Sequence, residues 1–295
     1  MLDFNILFPS VLNGITTGAV YALIALGLTL IYGVLHIINF AHGASLMVAL
    51  YGVYMLKQKF GVDPYMALPI MVPAMFVLGY ALQRGVINRA SHGKDENILL
   101  VTLGVSIVLE NLALLFFKSD TRTIDTAYTL TTVPIGPAMI ALPKIVAFFG
   151  ALATSALLLW IVSRTDLGRA IRAVAKEKQG ARLMGIDVDR TIGTAFFIGG
   201  GLAGVASVVY ALYNNTIYYQ MGFRVGIDAF TAAVLGGIGN LPGAVLGGIV
   251  IGLIRAMSDQ YIATEWTNVC VFAVLILVLI LRPSGLLGAS QREKV

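Results

Sequence analysis

The chain of 295 residues is 58% apolar and only 12% charged, with a mean hydropathy of +0.87. A soluble domain carries about a quarter charged residues and disordered chains are poor in apolar ones, so both classes are excluded. The net charge of +5 reads as basic loops of a membrane protein rather than a nucleic-acid surface, and the lone Cys270 excludes an internal disulfide framework or a cysteine-based zinc site.

Apolar runs of about 20 residues read as membrane-spanning helices. Eight such segments emerge, over 10–32, 39–56, 66–83, 98–117, 145–163, 191–213, 229–254 and 267–281. The expected fold is an all-α integral membrane protein with a single transmembrane domain over 1–295. The opening Met1-Leu2-Asp3-Phe4-Asn5 lacks the positive start of a secretory signal peptide, so the first run reads as a retained span.

Three basic stretches separate the runs: 84–97 with Arg84, Arg89 and Lys94; 164–190 with Arg164, Arg169, Arg172, Lys176, Lys178, Arg182 and Arg190; and the tail with Arg282, Arg292 and Lys294. Cytoplasmic loops hold the excess of Lys and Arg, which places all three inside. The N-terminus, the region 57–65 and the loops 118–144 and 255–266 then lie outside. This parity holds with the C-terminus inside if 229–254 dips in and returns; a full crossing would leave more Lys and Arg outside.

Two glycine-rich interruptions stand out. Gly236-Gly237-Ile238-Gly239-Asn240-Leu241-Pro242-Gly243 divides the seventh run, where glycine favours a bend and proline removes a backbone donor. A turn is expected there at membrane depth, against protein or a watery cavity. Residues 33–43 divide what would otherwise be one run from 10 to 56. Paired interruptions of this kind point to a transport site.

Among polar residues, Asn39 and His42 either line a pathway where the chain unwinds or form a turn at the cytoplasmic interface. Glu110, followed by Asn111, is buried in the fourth run and should face the bundle interior. It serves a pathway or holds two helices together. Asn240 is a further pathway candidate. Phosphate-loop, His-Glu-x-x-His and Gly-x-Ser-x-Gly signatures are missing, and His36, His42 and His92 lack the partners of a metal site. In the basic loop, Gln179-Gly180-Ala181-Arg182-Leu183-Met184-Gly185-Ile186 sets an apolar patch among charges. A headgroup anchor has no need of that patch, so a short helix docking on a partner is expected. Leu183 and Met184 would carry the docking, Gly185 would end the helix in a left-handed conformation, and loss of Lys176 or Lys178 would be mild.

The run 14–43, ending Ile38-Asn39-Phe40-Ala41-His42-Gly43, resembles the N-terminal signature of bacterial branched-chain amino acid importer permeases. The stretch 230–243 and the loop from Gly168-Arg169-Ala170 to Gly185-Ile186 resemble that family too, and its high-affinity H-type subunit above all. The resemblance implies an ATP-binding-cassette (ABC) importer permease-like bundle in the bacterial inner membrane, with no covalent chemistry of its own. It implies a second homologous permease, two ATPase subunits carrying ATP and Mg, and a periplasmic binding protein as partners. This chain would bind no cofactor. The loop departs from the broader Glu-Ala-Ala importer motif, with Gln179-Gly180-Ala181 in its place, and Ala44 stands where relatives often carry an acidic residue. Related permeases carry urea or amides, and an ATP-independent secondary transporter or channel is the other class that uses broken helices.

Overall fold

A computed structural model of the chain describes residues 4–90 and 95–288. His92, Lys94, Arg292 and Lys294 lie outside the described residues. The long apolar runs fold as helices: α1 (Phe4–Leu35), α2 (Ala41–Phe60), α3 (Leu68–Ala81), α4 (Asn88–Ala90), α5 (Asp95–Phe117), α6 (Leu142–Arg164), α7 (Asp166–Lys176), α8 (Lys178–Leu183), α9 (Val188–Asn214), α10 (Met221–Gly236), α11 (Leu241–Tyr261) and α12 (Thr267–Leu281). A π turn over Leu82–Ile87 joins α3 to α4. Their ends follow local chemistry. Gly61, at φ 66°, closes α2 with its amide on the Leu56 and Lys57 carbonyls, the left-handed stop that glycine adopts without a Cβ penalty.

Seven helices among the described residues are long and apolar enough to cross a membrane. Of their most apolar windows, 89% of α1 and 83% of α9 are buried, against 11% of the window that ends in α12. Helices α1 and α9 therefore form the centre, and α3, α5 and α12 present apolar rims of the kind that lipid or a second subunit covers. Helix α1 crosses α11 where Gly18 meets Gly252 and Ala22 meets Gly248, with no room for a Cβ on either α11 glycine. Small residues at such a crossing let backbones approach closely, which drives helix association when water is not there to do so.

Two loops carry short extended pairs that hydropathy runs did not anticipate. Strand β1 (Arg122–Thr123) pairs antiparallel with β4 (Thr216–Ile217), and β2 (Thr132–Ile135) with β3 (Ala138–Ala141). Tyr128 donates its hydroxyl to the Asp63 carboxylate at 2.9 Å. These contacts put the loops after α2, α5 and α9 on one face, consistent with the loop parity. Strands of two to four residues are too short to register as a hydrophobic period.

The seventh run is a helical hairpin wider than 229–254. Helix α10, 16 residues, and α11, 21 residues, are about 24 and 31 Å long at 1.5 Å per residue. The segment runs out and returns as a hairpin. Gly239 lies against Tyr32 in the last turn of α1, so the turn sits at the same end of the bundle as the loop after α1. Pro242 does not break a helix. It sits in the first turn of α11, capped by Asn240, where a missing amide leaves no bond unmade. The C-terminal segment packs beneath. The Leu286 and Leu287 amides donate to the Leu235 and Gly236 carbonyls at 2.9 and 3.0 Å, satisfying acceptors that the end of α10 leaves open.

Candidate functional site

After Leu35 the backbone turns at His36, φ 61°, and residues 36–40 run back into the bundle before α2 starts. The depth of that start follows from His42. Its Nε2 lies 3.3 Å from the Ile24 carbonyl, and its ring lies against Gly27. A carbonyl only accepts, so Nε2 carries the proton. Ile24 precedes the end of α1 by eleven residues, about 16 Å along the axis. Helix α2 therefore begins inside the bundle, well back from the end of α1. Both are buried. Asn39 Oδ1 accepts from the Ala41 amide at 3.1 Å and so satisfies one of the donors at the buried helix start. Ahead of it lies a cleft with apolar walls from Leu28, Ile38 and Phe40 on one side and Phe223, Ile227 and Phe230 of α10 on the other.

Of the other pathway candidates, Glu110 adjoins the cleft wall at Phe223, and Asn111 and Asn240 stand apart from it. The Phe223 amide, in the first turn of α10, hydrogen-bonds the Glu110 carboxylate, and the second oxygen, Oε1, is buried without a partner. A carboxylate at that position satisfies an orphan donor and faces the positive end of the helix. Asn111 is exposed on α5 and donates only to the Ile107 carbonyl of its own helix, at 2.8 Å. Asn240 is occupied as a cap: Oδ1 accepts from the Gly243 amide at 3.1 Å, and Nδ2 donates to the Leu287 carbonyl at 2.6 Å. It borders a separate cavity with Tyr32, His36 and Arg172. With Glu110 as a helix cap, Glu110→Gln should keep most transport and full assembly, since the amide oxygen still accepts from Phe223. Uptake and complex yield measure this; an intact complex with abolished uptake would place Glu110 in the pathway instead.

The sequence reading missed a buried ion pair. Arg255 Nη2 donates to Asp228 Oδ1 at 2.5 Å and to Asn268 Oδ1 at 3.2 Å, and the guanidinium lies 5.5 Å from the Tyr21 ring centroid. The two side chains are 12% and 10% exposed. Both charges lie just outside the apolar run 229–254. Opposite charges flanking one apolar hairpin are the signal that could have exposed the pair.

The basic loop folds as two helices. Thr165 caps α7 by accepting from the Gly168 amide at 3.1 Å, and Ile171 and Val174 are buried against the bundle. Helix α8 then carries its apolar end outward: Leu183 is 89% and Met184 83% exposed. Gly185 follows at φ 80°, the left-handed stop expected of it. Gln179 is exposed and Gly180 half-buried, but Ala181 is buried and seats α8 on the bundle rather than facing outward.

Residues 10–279 match the family model described as branched-chain amino acid transport system / permease component. BraD of Pseudomonas aeruginosa, a high-affinity branched-chain amino acid transport system permease protein, is 37% identical over 96% of this chain and 96% of its own length. LivH of Escherichia coli K12, named for the same activity, is 35% identical over 99% of both. An inner membrane ABC transporter permease of the same organism, YjfF, is 25% identical over 93% of this chain and 83% of its own. Among solved structures, PsaBC from Streptococcus pneumoniae aligns over 95% of this chain and 91% of its own at 16% identity and a TM-score of 0.47. The match to the family model and the full-length identities agree with the fold, and the chain belongs to the permease components of branched-chain amino acid transport systems.

Proposed function

We propose that this chain forms half of an ATP-driven import pathway for branched-chain or other apolar amino acids in a bacterial inner membrane. A second homologous permease supplies the other half, two ATPase subunits dock at α8, and a periplasmic binding protein delivers substrate. ATP and Mg bind the ATPases, and this chain supplies the path. The observation that carries the reading is the pair Leu183 and Met184, held almost fully exposed at the end of α8. Adjacent exposed apolar residues at a helix end are the kind of patch that marks an interaction site, and a self-contained channel or secondary transporter has no use for one. The apolar cleft beside His42 favours an aliphatic side chain over urea, which is polar throughout. An affinity-tagged chain extracted in mild detergent should retain an ATPase subunit and a second permease; recovery of this chain alone would count against the reading.

The proposed orientation puts the N-terminus and the loop after α11 in the periplasm and the C-terminus in the cytoplasm. Asp259 accepts the Thr267 hydroxyl, so the exposed neighbour Gln260 is the better probe. In a Cys270→Ala background, Gln260→Cys should react with an impermeant maleimide added to intact spheroplasts, and Gln291→Cys, beyond the described residues, only after lysis. The reverse pattern would invert the topology.

A further inference from the structure

Lys178, the first residue of α8, extends its ammonium Nζ to the Leu35 carbonyl at 3.0 Å. Leu35 is the last residue of α1 and is itself buried. Its carbonyl is one of those that a helix end leaves without an intrahelical partner, and a cation there also faces the negative end of the helix dipole. The contact joins two parts of the molecule that the chain separates by more than a hundred residues. On one side is the helix that ends in the exposed Leu183 and Met184. On the other is the junction where α1 gives way to residues 36–40, which lead to His42.

We propose that Lys178 is a positioning residue that passes movement of α8 to this junction, and through it to the buried start of α2. The inference rests on the reading of α8 as the ATPase-docking helix. The peptide unit between Leu35 and His36 is planar and rotates as one body. Its oxygen is held by Lys178, and its amide donates to the Tyr32 carbonyl at 2.6 Å. A pull on the oxygen therefore turns the plane that sets His36 in its left-handed conformation and aims residues 36–40 into the bundle. Helix α1 cannot absorb the pull by sliding, because the glycine crossing clamps it to α11. The irregular segment 36–40 is the part free to respond. Leu183, at the docking tip, lies five positions beyond Lys178 in α8, about 7.5 Å at helical rise. An alanine at 178 is thus not the mild change that a solvated charge suggests.

The test uses the assembled complex with its ATPase and binding-protein partners and L-leucine as the transported probe. The chain carries Cys270→Ala and Ile38→Cys, since Ile38 lines the cleft. With Lys178 present, maleimide labelling of Cys at position 38 should differ between the nucleotide-free and vanadate-trapped states. Lys178→Met should leave the ATPase bound and hydrolysing, make labelling independent of nucleotide, and lower leucine uptake about tenfold, the scale of a coupling free energy between two sites. Lys178→Arg, which can still donate to Leu35, should restore both. Nucleotide-dependent labelling and normal uptake in Lys178→Met would overturn the proposal, as would loss of ATPase binding, which would make Lys178 part of the dock. Labelling that never responds to nucleotide with Lys178 in place would overturn it too. Failure of the docking reading itself looks different: Leu183→Asp would keep the ATPase bound and coupled.

Discussion

Leu183→Asp is expected to abolish transport-linked ATP hydrolysis and to release the proposed ATPase subunit, while the permease still folds and inserts. Burial of a Leu side chain contributes about 1.5–3 kcal/mol, and a carboxylate in its place would be desolvated without a partner, which costs more still. The charges around the tip weigh less. Arg182 reaches Asp189 at 3.8 Å with both side chains largely exposed, and exposed pairs are worth about 0–1 kcal/mol. Lys176→Ala should therefore be mild. Gly185→Val fails for another reason, since a branched side chain is strained at φ 80° and the tip would be misaimed. Folding of each variant is checked by membrane yield and co-purification of the second permease. Docking is read by recovery of the ATPase, and coupling by ATP hydrolysis with and without leucine-loaded binding protein. A tip that tolerates aspartate on both readouts would be a headgroup anchor.

Arg255→Met is expected to be the most damaging single change in the membrane domain. It leaves the Asp228 carboxylate buried among α1, α9 and α11, and removal of one partner from a buried pair costs about 3–5 kcal/mol. The double variant Asp228→Asn with Arg255→Met should recover much of that loss, because a buried pair replaced as a unit is often close to neutral. Thermal unfolding of the detergent-solubilised protein compares the three. Equal melting for Arg255→Met and the unmodified chain would mean that water reaches the pair. The pair joins the two arms of the α10–α11 hairpin, and α10 also forms one wall of the cleft at Phe223, Ile227 and Phe230. The loss should accordingly appear in uptake as well as in stability.

Much of the architecture is legible in residue chemistry. Long apolar runs have few other outcomes in a membrane, and the pattern of Leu183, Met184 and Gly185 among charges already describes a helix with an apolar tip and a glycine stop. What hydropathy does not carry is register. It shows that residues 33–43 interrupt a run, but not that the chain climbs back about 16 Å before α2 begins; that depth is set by where His42 meets Ile24 and Gly27. The same limit misplaces the outer ends of the α10–α11 hairpin. Arg224, Asp228 and Arg255 made the run look shorter than the helices are, because a charge satisfied by its partner is indistinguishable in sequence from one at an interface. Pro242 misleads in a related way, since proline that opens a helix and proline that breaks one differ only in what precedes them. Asn39 and Asn240 carry their oxygens to backbone amides, local work that a list of polar residues in apolar runs does not separate from a pathway.

The most direct measurement of the central claim is leucine uptake into proteoliposomes that hold this chain, its partner permease and the ATPases, with the binding protein outside and nucleotide within. Leucine should accumulate against its gradient with ATP and Mg, stay out with ADP, and be lost in Leu183→Asp, while urea should not accumulate under any condition. Leucine that equilibrates without ATP, or urea that accumulates in its place, would contradict the account.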